Sequence, residues 1–335
     1  MSLDAFSVVV TFLAVIEVVL GVTAAVLGVR QLRASPATTD GPDVRRPLLA
    51  LVAATLVVVT VVSAPLFYLL LASWVPRWSG VMCVEGVRRI GLGATGAVGL
   101  LPRLVGALDI AKPLVVFAAG AWMVLRRATG IAAMRWAACA AIALGCIAAF
   151  DGAAQAAYVV IPKEEVEANA GCCTTTTHAA ARDAGLTPGG RASADDTRGV
   201  AAAFLASAAA LGVAALFARR RAGIAGMPAS GAVFGLLAAA TIPLATSYLA
   251  DVVAPAVLHL PYHRCVWCAF SAAPETILGA ALYLAGVFCI GWAWIARITS
   301  VHGADGADPA PRLYGVAGFC LLGAASMSAG LALTS

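Results

Sequence analysis

The sequence predicts an all-α, polytopic integral membrane protein. Hydrophobic residues make up 61% of the 335 residues and charged residues only 12%, whereas a soluble domain carries about 25% charge. The mean hydropathy is +0.93. Apolar stretches of about 20 residues, the length that crosses a bilayer, occur eight times, at 6–29, 48–74, 104–125, 134–160, 200–218, 231–253, 275–296 and 313–334. We therefore expect residues 1–335 to form a single transmembrane domain.

The distribution of positive charge predicts the orientation. One set of alternate connections holds twelve arginines close to the helix ends. The other set holds nine Lys and Arg residues, four of them in the long connection 161–199. Because short cytoplasmic loops retain Lys and Arg and long loops count less, both termini are expected outside, in a multi-pass protein of the cell membrane. The connection 161–199 is rich in Thr, Ala and Gly, which predicts a flexible extracytoplasmic loop.

Two cysteines occupy matching places and suggest an internal repeat. Cys83 lies between the second and third apolar stretches, and Cys265 between the sixth and seventh. A four-helix unit would then occur twice, as a parallel 4+4 pseudo-repeat. A constant offset of 171 residues also relates Phe117 to Phe288, Gly120 to Gly291 and Arg126 to Arg297. Chance matches in a chain rich in Ala and Gly are the alternative.

The segment HLPYHRCVWC, at 259–268, carries the most distinctive motif. A Cys-x-x-Cys spacing, here Cys265 and Cys268, lets two sulfurs close a small ring or share a metal ion. His263 and Arg264 adjoin Cys265, and a positive neighbour favours the thiolate that attacks disulfides. If the seventh helix begins near Cys268, its N-terminal dipole adds to this effect. These features predict a redox dithiol.

A metal site is the alternative interpretation of the same segment. His259, His263, Cys265 and Cys268, together with Cys83, form a set of ligands suited to zinc or copper. Pro261 stands between the two histidines and argues against a regular helix that would place both on one face. The sequence leaves the dithiol and the metal site both open.

Two further cysteines stand side by side in the long connection. Cys172 and Cys173 are too close to form an unstrained disulfide with each other. On a flexible arm they could carry thiols to Cys265 and Cys268 and exchange through mixed disulfides. Alternatively, one of them ties the loop to Cys83. The four remaining cysteines lie in apolar stretches, where a thiol usually behaves as a small hydrophobe.

A dithiol at a helix start with a pair of loop thiols resembles the layout of membrane oxidoreductases of the vitamin K epoxide reductase and bacterial disulfide-oxidase kind. The resemblance covers only these few residues, and those proteins have four or five helices against the eight predicted here. It implies that the loop cysteines relay electrons and that a quinone accepts them. An extracytoplasmic thiol protein would be the partner.

Six ionisable residues fall within the apolar stretches, where they are costly unless they face protein or a wet cavity. They are Glu17, Asp109, Lys112, Asp151, Asp251 and Glu275. Asp109 and Lys112 are three residues apart on one helical face, which predicts a mutual ion pair. Asp251 and Glu275 lie near helix ends and could simply mark the headgroup boundary. Only Glu17 is near a helix midpoint.

Three functional hypotheses follow. A thiol-disulfide oxidoreductase would use Cys265 and Cys268, with proton transfer by Asp109, Lys112 or Glu275. A copper or zinc transport protein would use the Cys and His cluster, and a structural subunit of a membrane complex would need neither. The dithiol hypothesis is favoured, because a cation-binding mouth has no obvious need of Arg264. The chain lacks a phosphate-binding GxxxxGK[ST] loop, and its charge of +5 is spread over the loops, which does not suggest nucleic acid.

Overall fold

The computed structural model describes residues 5–33, 45–78, 81, 83–127, 131–163, 194–221, 228–260, 263–299 and 308–334. All regular secondary structure in these ranges is helical. Eight helices there are long and apolar enough to cross a membrane. Each coincides with one of the eight predicted stretches, so the all-α class and the number of long helices are confirmed.

The helices are numbered in chain order. They are α1 Ala5–Arg33, α2 Arg45–Trp74, α3 Val84–Arg88, α4 Leu101–Leu125, α5 Ile131–Val160, α6 Ala194–Arg221, α7 Pro228–Tyr248, α8 Ala254–Leu258, α9 Val266–Ala272, α10 Glu275–Ile298 and α11 Ala310–Thr334. Single 3₁₀ turns occur at Val75–Arg77 and Val98–Leu100. The fifth long helix begins at Ala194, so the end of the connection 161–199 is helical. Residues 164–193 of that connection lie outside the described part of the chain.

The chain divides into two compact units. The first comprises residues 1–172 with 301–305, and the second 173–300 with 306–335. Each unit contains four of the long helices and at least one short helix. The two units are described separately below.

The first unit is a bundle of α1, α2, α4 and α5. Helix α1 packs against α2 and α5, α4 packs against α5, and the short α3 lies against the ends of α2 and α4. Gly21 and Gly145 allow α1 and α5 to approach closely, because a Cβ on Gly21 would lie 2.6 Å from the Gly145 carbonyl oxygen. Small residues at such crossings are typical of helices that pack in a membrane. The end of this bundle that carries α3 is called the α3 end.

The second unit shares three of these contacts, namely those of its first long helix with its second and fourth, and that of its third with its fourth. Helix α11 packs against α6 and α10, and α7 packs against α6 and α10. Its first and last long helices also meet at glycines, because a Cβ on Gly318 would lie 3.0 Å from the Gly212 carbonyl oxygen. In both units, therefore, the first and fourth long helices make their close approach through glycine.

A buried lysine, Lys163, lies at the α3 end of the first unit. Lys163 Nζ donates to the carbonyl oxygens of Tyr158 at 2.5 Å and Ile161 at 2.9 Å, at the C-terminus of α5. The ammonium also lies over the rings of Trp74 and Tyr158, at 4.7 and 4.8 Å from their centroids. Burial disfavours the charged form and lowers the pKa of Lys163 to about 8.

The second long helix of the second unit is interrupted. Residues Leu249–Val253 form a π-helical turn between α7 and α8, and α8 ends at His259, whose φ of 52° is left-handed. Single π-turns inside α-helices are frequent at functional sites. The interruption lies at the end of the unit that carries α9, called the α9 end, because α9 packs against the π-turn, α8 and α10.

Candidate functional site

The two cysteines of the Cys-x-x-Cys motif stand at the start of the short helix α9. Cys265 is its N-cap residue, with extended backbone angles φ −82° and ψ 105°, and Cys268 lies in its first turn. Their Sγ atoms lie within 4.8 Å of each other. Both side chains are half-buried. The Cys-x-x-Cys spacing therefore brings the two sulfurs together, as the sequence predicted.

The dithiol lies on a short helix of its own and does not begin the seventh long helix, so the condition under which that helix would add its dipole is not met. Helix α9 ends at Ala272, and α10 begins separately at Glu275. Pro274 explains the break, because the residue before a proline is driven out of the α-helical region. Ala273 accordingly adopts φ −136° and ψ 86°.

Charge beside the dithiol is more balanced than the sequence suggested. Arg264 Nε lies 3.2 Å from Asp251 Oδ1, a carboxylate of the π-turn. The guanidinium charge is therefore shared with a carboxylate, which weakens its electrostatic support of a thiolate at Cys265. Asp251, predicted to be intramembrane, lies within the sixth long apolar helix and anchors the segment that precedes the cysteines. Trp267 packs edge-to-face on Phe270, with ring centroids 5.9 Å apart.

The two predicted histidine ligands are placed differently from the sulfurs. His259 is exposed and ends α8, where its backbone N–H donates to the Ala256 carbonyl at 3.3 Å. The His263 backbone N–H donates to the Leu260 carbonyl at 3.0 Å. Among the described residues of the second unit, neither histidine joins Cys265 and Cys268 in a group of ligand atoms close enough to share a metal ion.

Cys83 has the same local role in the first unit that Cys265 has in the second. It is the N-cap residue of α3, with φ −157° and ψ 173°, and its carbonyl accepts from the Gly86 N–H at 3.0 Å. Cys172 and Cys173 lie outside the described residues. The electron relay predicted for them, and the metal-binding role predicted for Cys83, remain predictions.

A cavity of about 110 Å³ lies in the second unit, lined by residues of α6, α7, the π-turn, α10 and α11. Its walls are mainly apolar, and they include Val253, Gly279 and the rings of Tyr248 and Tyr283. Phe204 stacks on Tyr248 with ring centroids 4.3 Å apart. Helix α9 packs against both the π-turn and α10, so the cavity and the dithiol share two supporting elements.

A few polar groups line this cavity or stand beside it. The Tyr248 hydroxyl donates to the Ser328 carbonyl at 3.1 Å, and the Tyr283 hydroxyl is hydrogen-bonded to Thr241. Glu275, predicted as an intramembrane carboxylate, is the first residue of α10, where it is exposed and belongs to the cavity lining. An apolar lining with a few oriented polar groups is typical of small-molecule sites, although this cavity, at about 110 Å³, is smaller than most of them.

The remaining predicted ionisable residues meet in the first unit, but not in the predicted pairs. Lys112 Nζ lies 3.0 Å from Asp151 Oδ2 on α5 and 2.8 Å from Gln155 Oε1. Asp109 instead accepts from the Tyr68 hydroxyl at 3.0 Å and pairs with Arg88 of α3. The predicted Asp109–Lys112 pair is wrong, because the lysine extends into the bundle while Asp109 faces the α3 end.

Glu17 is fully buried close to the Lys112–Asp151 pair. Neither of its carboxyl oxygens has a hydrogen-bond partner, and Asp151 Oδ1 has none either. Gln155 also donates to Ser63 Oγ at 3.1 Å. Gln155 and Ser63 were not predicted as site residues, although both are polar residues within apolar stretches and could have been identified by that signal.

Comparison of the chain with protein-family models, curated proteins and solved structures gives no match. The functional assignment therefore depends on the residues and geometry described above.

Proposed function

We propose that the protein is a membrane thiol-disulfide oxidoreductase whose reactive pair is Cys265 and Cys268. The observation that carries the proposal is the placement of the two sulfurs, within 4.8 Å of each other at the start of α9. A small movement brings sulfurs at this separation to the length of a disulfide bond. The two cysteines can therefore alternate between a dithiol and a disulfide without unfolding the helix.

The chemistry consists of two balanced exchanges. One thiolate of a substrate dithiol attacks the Cys265–Cys268 disulfide and forms a mixed disulfide with the protein. The second thiolate of the substrate then attacks this mixed disulfide, and the substrate is released as a disulfide. Cys265 and Cys268 are then reduced by two electrons and hold two protons as thiols. A lipid-soluble acceptor of the quinone class then reoxidises the two thiols to the disulfide, because a quinone takes up two electrons and two protons when it is reduced.

The cavity in the second unit supports this choice of acceptor. It is bounded by Tyr248 and Tyr283, whose rings suit a planar ligand, and by Gly279, which adds no side chain to the wall. Glu275 at its edge is a candidate to receive a proton released by the thiols. The cavity also shares the π-turn and α10 with the support of α9.

We also propose that the eight apolar helices are inserted in the cell membrane with both termini outside and that the two units are copies of a parallel repeat. The three shared helix contacts, the glycine crossings and the N-cap cysteines Cys83 and Cys265 support the repeat. In this orientation the α9 end faces the extracytoplasmic side, where an oxidising environment favours disulfide formation. Labelling of single-cysteine variants in intact cells with an impermeant maleimide tests this topology.

Turnover with a dithiol substrate and a short-chain quinone tests the proposed function. We expect the detergent-purified protein to reduce the quinone, and Cys265→Ser and Cys268→Ser to reduce the rate at least 100-fold. Cys139→Ser is the matched control, because Cys139 is exposed on a membrane-spanning helix and should leave the rate unchanged. Equal loss in His259→Ala would contradict the dithiol mechanism.

Alkylation and peptide mass spectrometry of the unreduced protein give an independent result. We expect Cys265 and Cys268 to be recovered in a disulfide, either with each other or with another cysteine of the chain. If they become alkylated only after treatment with a strong chelator, they hold a metal ion, and the oxidoreductase proposal is wrong.

A further inference from the structure

The first unit contains a buried cluster of ionisable residues that the thiol chemistry does not use. Glu17 comes from α1, Lys112 from α4 and Asp151 from α5, and all three side chains are at least 95% buried. Gln155, which accepts from Lys112, and Ser63, which accepts from Gln155, complete the cluster. Ionisable residues so deep in a bundle of apolar helices mark functional sites by default.

The cluster has too many acceptors and too few donors. Two carboxyl groups face one ammonium, so full ionisation would leave an uncompensated negative charge in the bundle. Three oxygens are buried without a hydrogen bond, namely both carboxyl oxygens of Glu17 and Asp151 Oδ1. An ionised carboxylate only accepts hydrogen bonds, whereas a protonated one also donates. One additional proton would therefore remove the excess charge and supply a missing donor.

We infer that this buried cluster of the first unit is a proton-binding site, in which Glu17 carries one exchangeable proton beside the Lys112–Asp151 ion pair. The geometry favours Glu17 over Asp151 as the carrier, because neither carboxyl oxygen of Glu17 has a hydrogen-bond partner, whereas Asp151 contacts the ammonium directly. Thr60 Oγ1 donates to the Leu56 carbonyl at 2.9 Å, and Ser63 is engaged with Gln155. Asp151 keeps its charge through the direct contact with Lys112 at 3.0 Å.

Other ionisable groups lie on the side of this site that faces the α3 end. Lys112 lies one turn of α4 from Asp109, which is hydrogen-bonded to Tyr68 and paired with Arg88. Arg88 in turn pairs with Glu85 of α3 at 2.7 Å. Asp109 and Glu85 are thus paired with an arginine, which leaves Glu17 and Asp151 as the carboxyl groups beside Lys112.

A metal cation is the competing occupant, and the lysine disfavours it. The Lys112 ammonium already binds Asp151 Oδ2, and its positive charge would repel a second cation in a low-dielectric interior. A proton needs only one carboxyl oxygen, and it forms a neutral group that the apolar surroundings favour.

Infrared difference spectroscopy tests the inference directly. We expect the wild-type protein, in detergent at neutral pH, to show the carbonyl-stretch band of one protonated carboxyl group, shifted on exchange into D₂O. Glu17→Gln should lose this band and remain folded, because glutamine is close in shape to a protonated glutamate. Glu85→Gln is the control, since its carboxylate is partly exposed and already paired, and it should retain the band.

Three results would overturn the inference. The first is the absence of the band in the wild-type protein, which would show both carboxyl groups ionised. The second is retention of the band in Glu17→Gln, which would place the proton elsewhere. The third is thermal stabilisation of the wild type, but not of Glu17→Gln, by Na⁺ or K⁺ at constant ionic strength, because it would show a cation site. None of these results depends on thiol turnover.

Discussion

Lys112 on α4 forms its ion pair with Asp151 on α5, at 3.0 Å between Nζ and Oδ2, and not with Asp109 on its own helix. Breaking a buried ion pair leaves an unpaired charge and typically costs about 3–5 kcal/mol. We therefore expect Lys112→Met to lower the free energy of unfolding by that amount. Asp109→Asn should cost about 1 kcal/mol or less, because its pair with Arg88 is partly exposed.

A double-mutant cycle measured by denaturant unfolding in detergent separates the two partners of Lys112. We expect a coupling free energy above about 1 kcal/mol between Lys112 and Asp151 and a smaller one between Lys112 and Asp109. A larger coupling free energy between Lys112 and Asp109 than between Lys112 and Asp151 would instead support the pair that the sequence predicted.

The glycine crossing of α1 and α5 predicts a sharp difference between two glycine substitutions. A methyl group on Gly21 would lie 2.6 Å from the Gly145 carbonyl oxygen, whereas one on Gly106 meets nothing within 4 Å. We expect Gly21→Ala to destabilise the first unit by about 1–3 kcal/mol, because the helices must separate. Gly106→Ala should stabilise it by about 0.5–1 kcal/mol through helix propensity. Thermal unfolding followed by circular dichroism measures both, and equal effects would contradict the close crossing.

Lys163 predicts a pH dependence of stability. Its pKa is about 8 in the folded protein against 10.5 for an ordinary lysine. Between these values the unfolded chain holds more protons than the folded one, so stability rises with pH across this window. The folded state carries the full penalty of the buried charge below pH 8 and is relieved of it above. The gain amounts to at most about 3 kcal/mol.

Unfolding of the wild type and of Lys163→Met across this pH window measures the effect. Methionine keeps an unbranched chain over the rings of Trp74 and Tyr158 but has no charge to titrate. We expect the variant to lose the rise in stability seen in the wild type. An unchanged pH profile would show that another group is responsible.

The cavity of the second unit predicts a substitution that blocks ligand entry without unfolding the protein. Gly279 lines the cavity, and a Cβ added there would meet nothing within 4 Å. We expect Gly279→Leu to keep the melting temperature within a few degrees and to weaken binding of a short-chain quinone at least tenfold, measured by quenching of tryptophan fluorescence. Gly106→Leu is the control in the first unit. Unchanged binding in Gly279→Leu would exclude this cavity as the acceptor site.

Much of the fold follows from local patterns in the sequence. Each long helix is a continuous apolar stretch of bilayer length, and such a stretch can satisfy its backbone polar groups only as a helix. The sulfur pair of Cys265 and Cys268 also follows from a short spacing, because two residues in between leave little room for other geometries. Neither inference needs contacts between distant parts of the chain.

Features that depend on a partner far along the chain were missed or misjudged. Lys112 had a plausible partner three residues away, yet its long side chain reaches α5, and spacing along one helix does not show which face is buried. The same limit applies to Gln155 and Ser63, which are 92 residues apart and meet only in the bundle. Arg264 was expected to support a thiolate, but Asp251 shares its charge.

The sequence by itself determined the all-α class, the eight apolar helices and the proximity of the two motif cysteines, because each depends on hydrophobicity or spacing within a few turns. Only the tertiary structure decided which charges pair, where glycines let helices cross, and that Glu17 is buried without a hydrogen-bond partner. These features arise when separate helices pack, and the free energy of a buried charge depends on groups that the packing brings to it.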